Sequence, residues 1–154
     1  MLTLSEFLAS LGHNIILLSA FTAWLSAQLL KVLTSFLEHR EFNAERLVGS
    51  GGMPSSHTAL VVSLAFATGL QDGFASSTFA IAVILASIVM YDAAGVRNAA
   101  GKQAKVINRL VHQMRVEHTL PDIKLKELLG HTPLEVLAGA ALGILVAYAF
   151  DIFR

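Results

Sequence analysis

Long uncharged stretches alternate with short charged ones along this chain, and the alternation predicts where helices cross a bilayer. Every residue between Glu6 and Lys31 is uncharged, with His13, Asn14 and Gln28 as the only strongly polar positions. About 20 residues of helix are needed to traverse the hydrocarbon layer, so this segment is long enough. A second uncharged run extends from Leu47 to Gln71, with its apolar part at Thr58–Leu70. The third, Gly73–Tyr91, is almost wholly apolar or small, and the fourth, Val136–Phe150, is short and spans only if extended backward through Leu134. Between the third and fourth lies a polar stretch, Asp92–Leu129. Within it Ala104, Ile107, Leu110, Val111 and Met114 recur at helical spacing, which predicts a partly helical loop along the membrane surface or capping the bundle.

Composition agrees with this pattern. Hydrophobic residues make up 55% of the 154 positions and charged residues only 14%, less charge than a soluble domain needs to cover its surface. The expected architecture is all-α: a polytopic membrane helical bundle of about four transmembrane helices plus a cytoplasmic, partly helical loop, forming one domain over residues 1–154. A soluble bundle with very apolar core helices is the alternative. Gly139 and Gly143, with Ala138, Ala140, Ala141 and Ala147, supply the small surfaces by which helices approach closely in lipid.

Charge placement gives the orientation. Lys31, Arg40 and Arg46 form one basic stretch; Arg97, Lys102, Lys105, Arg109, Arg115, Lys124 and Lys126 form another. The connector Gln71-Asp72-Gly73 has no basic residue. With four crossings the two basic stretches fall on one side, which the positive-inside rule makes cytoplasmic. Net charge is zero, so no basic field suggests nucleic acid. Cysteine is absent, which removes thiolate chemistry and Cys-based zinc sites. Residues 1–30 contain no Lys or Arg, so the basic start of a signal peptide is missing and these residues are read as mature protein.

Two motifs carry candidate chemistry, each at the entrance of a helix rising from the basic side. Gly49-Ser50-Gly51-Gly52-Met53-Pro54-Ser55-Ser56-His57 leads into the second crossing. Its glycines permit a tight turn, and a helix start presents free N–H groups and a positive dipole end to an anion. Gly130-His131-Thr132-Pro133-Leu134-Glu135 leads into the fourth, where Thr132, Pro133 and Glu135 spell a capping box. Glu135 therefore has a purely structural reading, yet a carboxylate beside His131 also fixes a ring tautomer, and its two oxygens allow both roles. On the same face, Arg97 suits a bidentate phosphate clamp and Lys102 a point charge, or both simply snorkel. Asp92 either positions Arg97 or a water, or ends a helix. Two histidines, two helix starts and several cations describe a phosphate-handling site.

These residues resemble the type 2 phosphatidic acid phosphatase superfamily, which includes lipid phosphatases and vanadium haloperoxidases, and most of all its divergent branch of small membrane proteins. The superfamily pattern is K-x6-R-P, then P-S-G-H, then S-R-x5-H-x3-D. Pro54-Ser55-Ser56-His57 matches the second block with Ser56 for glycine, and His131 through Gly139 matches the end of the third with Glu135 for aspartate. The likeness to the divergent branch includes the stretch Asp92–Gln103. The first block is missing, because Lys31 and Arg40 have the wrong spacing, and Leu125 stands where the third block has its arginine. The resemblance implies that His131 attacks phosphorus and carries a phosphohistidine, that Glu135 orients it, and that His57 is the general acid and base. It implies phosphate binding by backbone N–H groups near Gly52, Ser55 and Ser56 and by Arg97, Lys102 and Lys126. It implies no cofactor and no metal, and a lipid phosphate or pyrophosphate (phospholipid or polyprenyl) as substrate.

Two other readings stay open. One is a non-catalytic relative that binds phospholipid head groups or a partner membrane protein. The other is a divalent metal on His131, Glu135, His57 and Asp92, acceptable ligands whose spacing matches no strong metal signature. A bacterial inner membrane fits the compact size, and a homo-oligomer is compatible with these surfaces.

Overall fold

The structure is a computed structural model, which describes residues 3–39, 52–115, 125 and 130–153. Among the described residues there are six helices and no strand: α1 (Leu4–Gly12), α2 (Ile15–His39), α3 (Ser56–Asp72), α4 (Ser77–Ala94), α5 (Val96–Arg115) and α6 (Pro133–Ile152). Three helical stretches are long and apolar enough to cross a membrane, Ile15–Leu37, Ser77–Gln113 and Pro133–Ile152. The 17-residue α3 runs among them and packs on α2, α4 and α6. At 1.5 Å per residue it reaches about 25 Å, near the lower limit for a span.

The first uncharged stretch is not one helix from Glu6 to Lys31, as its polarity pattern predicts. It breaks at His13, where α1 ends. The Asn14 side chain then accepts from the Leu17 N–H at 3.1 Å and starts α2. The membrane-length helix consequently begins later and continues past Lys31, which puts that lysine inside the bundle. The short fourth segment is corrected in the opposite direction. Pro133 supplies the first helical residue and the helix runs 20 residues, about 30 Å, a full crossing.

What is buried and what is exposed decides between lipid and water as the solvent. The core is made of small residues: Ala23, Ala27 and Ala59 in one cluster, Val61, Ala65, Ala82 and Ala86 in another. Phe21, Leu25 and Leu29 on α2, Ile81, Ile84 and Ile88 on α4, and Leu137 and Leu145 on α6 all point outward. A soluble bundle buries its large side chains and exposes charge. This one does the reverse, as helices packed in lipid do. The protein is an all-helical membrane protein.

Close approach of α3 and α6 holds the bundle together. A Cβ on Gly139 would stand 2.4 Å from the Ser55 carbonyl oxygen, and one on Gly143 would stand 2.6 Å from that of Ala59. No other residue fits there without moving backbone. The expected partly helical loop contains α5, which follows α4 after a turn at Gly95 and exposes Val106, Ile107 and Leu110 on one flank.

Candidate active site

The helices run up and down, so the end of α2, the start of α3, the end of α4 and the start of α6 meet at one mouth. A cavity of about 270 Å³ opens there, lined by His57, Asp92, Arg97 and His131, with Ile88 and Val89 as its apolar wall. The two motif histidines, 74 positions apart along the chain (131 − 57), therefore share one cavity.

His131 is held from several sides. Its ring Nδ1 lies 3.1 Å from Glu135 Oε2, and the Thr132 N–H donates to that same oxygen at 2.9 Å. Capping and orienting thus converge on one carboxylate oxygen instead of dividing between two. The Thr132 side chain completes the capping box by accepting from the Glu135 N–H at 3.3 Å. With Nδ1 donating to a carboxylate, the lone pair of the neutral ring sits on Nε2. That nitrogen is buried and has no hydrogen-bond partner, and the residue is only 3% exposed. Burial pushes the ring's pKa below its ordinary 6.5; the Glu135 hydrogen bond and charge oppose this, while Lys31 and Arg97 add to it. An unpartnered buried nitrogen with its lone pair available has the chemistry of a nucleophile or a base, with no donor competing for it.

The start of α3 is tied to the start of α6. Ser55 caps α3 by accepting from the Thr58 N–H, and its own backbone N–H donates to the Glu135 carbonyl at 3.0 Å. The Ser55 N–H is therefore engaged between the two motifs, and the residue is fully buried. Ser56 takes part differently, through its hydroxyl, which accepts from Lys31 Nζ at 3.0 Å. Gly52 has φ +86 and lies beside the aliphatic stem of Lys31. His57 is exposed into the mouth and interacts electrostatically with Arg97, Lys31, His131 and Asp92.

Arg97 lines the cavity and is ion-paired to Asp92, so of the alternatives for Asp92 the geometry selects positioning of the arginine. Lys102 is exposed on α5 and does not line the cavity. Lys126, like Arg40, Arg46 and Lys124, lies outside the described residues. Leu125 is fixed elsewhere, exchanging two hydrogen bonds with the Asn108 side chain at 2.8 and 3.0 Å. Among the described residues no three His, Asp or Glu side chains are grouped to hold a metal ion.

Lys31, which motif spacing leaves out, lies beside the site: it does not line the cavity, and its Nζ reaches Ser56 next to His57. It is 3% exposed within a membrane-spanning helix. An ionisable side chain inside such a helix is itself a functional signal, because burying an ammonium is costly and such residues are rare and face the bundle interior. Asn98 has no signal in the sequence: its side chain reaches the His131 carbonyl, and its backbone packs against Gly130, through the fold alone.

Residues 12–146 match the Divergent PAP2 family. The chain belongs to that family. It is 42% identical over 151 residues to the uncharacterized membrane protein YuiD of Bacillus subtilis (strain 168), covering 91% of this chain and 96% of that one. No solved structure matches it. In this divergent PAP2 protein Lys31, from within α2, reaches Ser56 of the second histidine block, and no arginine-proline pair follows it at the superfamily's spacing.

Proposed function

We propose that this divergent PAP2 protein is a membrane phosphohydrolase that removes phosphate from a lipid phosphate or pyrophosphate through a phosphohistidine on His131. The observation that carries this reading is the His131 ring, bound at Nδ1 by Glu135 and unpartnered at Nε2, in a cavity shared with His57 and Arg97. In the first step His131 Nε2 attacks phosphorus while the bond to the leaving alkoxide breaks and His57 gives that oxygen its proton. In the second, His57 takes a proton from water as the water oxygen attacks phosphorus. The P–N bond then breaks and inorganic phosphate leaves. Glu135 stabilises the positive ring that forms between the steps.

Lys31 and Arg97, with the helix starts of α3 and α6, supply positive charge for the equatorial oxygens, which is most of what phosphoryl transfer asks of a protein. The hydroxyl of Ser56 places Lys31. A lipid substrate is favoured because Ile88 and Val89 continue the cavity wall into the apolar surface of α4. The positive-inside rule, applied to the basic stretches of the sequence, supports a cytoplasmic orientation for this face.

Phosphate release from phosphatidic acid, phosphatidylglycerophosphate and polyprenyl pyrophosphate tests the proposal. The expected result is hydrolysis of at least one, abolished in His131→Ala and His57→Ala while the variants remain folded. Wild-type rates in both variants would overturn it. A non-catalytic head-group binder is the second reading, favoured by Leu125 where the superfamily has arginine. It predicts phospholipid binding with no histidine-dependent turnover.

A further inference from the structure

The nucleophile candidate is fixed through its backbone as well as its ring, and the fixing element is the junction of α4 and α5. The His131 N–H donates to the Ala93 carbonyl at 2.9 Å. The Asn98 side-chain amide donates to the His131 carbonyl at 3.1 Å, across 33 positions of chain. Gly130, at φ +84, lies so close against the first turn of α5 that a Cβ would stand 2.3 Å from the Asn98 nitrogen and 2.6 Å from the Arg97 carbonyl carbon.

With both peptide groups and Nδ1 engaged, the only remaining freedom of His131 is a small shift of the whole loop against α5. Asn98 is the side chain that resists that shift. It is also the immediate neighbour of Arg97, so the same turn of helix carries an anion-facing cation and the anchor of the nucleophile. We propose that Asn98 is a positioning residue. It sets how far His131 Nε2 reaches into the cavity and locks that reach to the place of Arg97. The inference rests on the reading of His131 as the phosphoryl acceptor. Misplacement of a reacting atom by about 1 Å costs on the order of 100-fold in rate, so a lost anchor should register in turnover more than in substrate binding.

The test uses the full chain in nanodiscs, as wild type, Asn98→Ala and Asn98→Gln, with phosphatidic acid as the probe and an exposed α5 residue outside the cavity as control, Gln113→Ala. In Asn98→Ala, kcat per folded molecule is expected to fall roughly 10- to 100-fold with KM changed by less than about threefold, and Asn98→Gln, which keeps an amide donor, to recover part of the loss. Wild-type kcat in Asn98→Ala, or a loss accounted for entirely by unfolded protein, would overturn the assignment. Should the wild type hydrolyse no lipid phosphate, the phosphatase reading fails, and the anchor is judged by NMR of ¹³C-labelled histidine. A shift of the His131 ring resonance in Asn98→Ala but not in Gln113→Ala supports the anchor; an unmoved resonance overturns it.

Discussion

Lys31 Nζ donates to the Ser56 hydroxyl at 3.0 Å across 25 positions of chain, inside the bundle and directly before His57. A lysine buried within α2 is thereby tied to the second histidine block by a side chain of that block. Replacing it with a methionine of similar shape removes the charge and leaves the packing. Lys31→Met is expected to fold, and to lose about 2 to 4 kcal/mol of transition-state stabilisation, read as a comparable fall in kcat/KM for phosphatidic acid. Unchanged kinetics would remove Lys31 from the site.

A Glu135→Gln substitution separates capping from orientation, which the native carboxylate combines on one oxygen. A glutamine still accepts the Thr132 N–H and keeps the capping box, so Glu135→Gln should alter the melting temperature little. It no longer stabilises a positive His131 ring or enforces one tautomer. Turnover is expected to fall by roughly 10³- to 10⁴-fold, as for amide replacements of an orienting carboxylate, measured against an unchanged thermal transition.

Two left-handed glycines give unequal expectations for the same substitution. Gly73 has φ +90 and open space around its missing Cβ, whereas Gly130 has φ +84 and backbone 2.3 Å away. Gly73→Ala should cost about 1 kcal/mol from strain alone. Gly130→Ala should cost about 2 kcal/mol more, because α5 must move. Thermal unfolding of both variants in one detergent checks the order.

The α3–α6 seam is equally specific. Gly143→Ala sets a methyl 2.6 Å from the Ala59 carbonyl oxygen, and Gly139→Ala one 2.4 Å from that of Ser55. Each should destabilise by about 1 to 3 kcal/mol, by separating the backbones. Only Gly139→Ala strains the Ser55–Glu135 connection beside the mouth and should also reduce turnover of the folded fraction.

The pH dependence follows from His131. Its pKa lies below 6.5 in the folded protein, chiefly through burial. More than half of the rings are then neutral at pH 6.5, and the acid limb assigned to this group falls below that value. The stability linked to this ring is intact above 6.5, the unfolded value, and is lost as pH falls through the lower folded one. A histidine NMR titration with a His131 midpoint at or above 6.5 would contradict this.

Sequence carried the features that depend on neighbours within a few positions. The capping box at Thr132–Glu135, the approach of Glu135 to His131 at i and i+4, and the amphipathic α5 all have local signatures. The break at Asn14 was hidden, because a polar but uncharged residue interrupts a helix without interrupting an uncharged run. Lys31 has no arginine-proline pair at the superfamily's spacing, so the motif does not single it out, although its solitary charge in an apolar stretch is visible in the sequence. The Ser55 N–H to Glu135 bond and the Asn98 anchor join segments remote along the chain, for which no periodicity exists. Such contacts emerge only when the helices are set side by side.

Welding α3 to α6 at two glycines puts both imidazoles on one stiff unit, whereas Ile88 and Val89 belong to its neighbour α4. On the proposed reading, reactivity and fit are thus carried by different helices of the bundle. Exchanging one oily side chain at position 88 or 89 for another would then alter which tails are accommodated while leaving the α3–α6 seam intact.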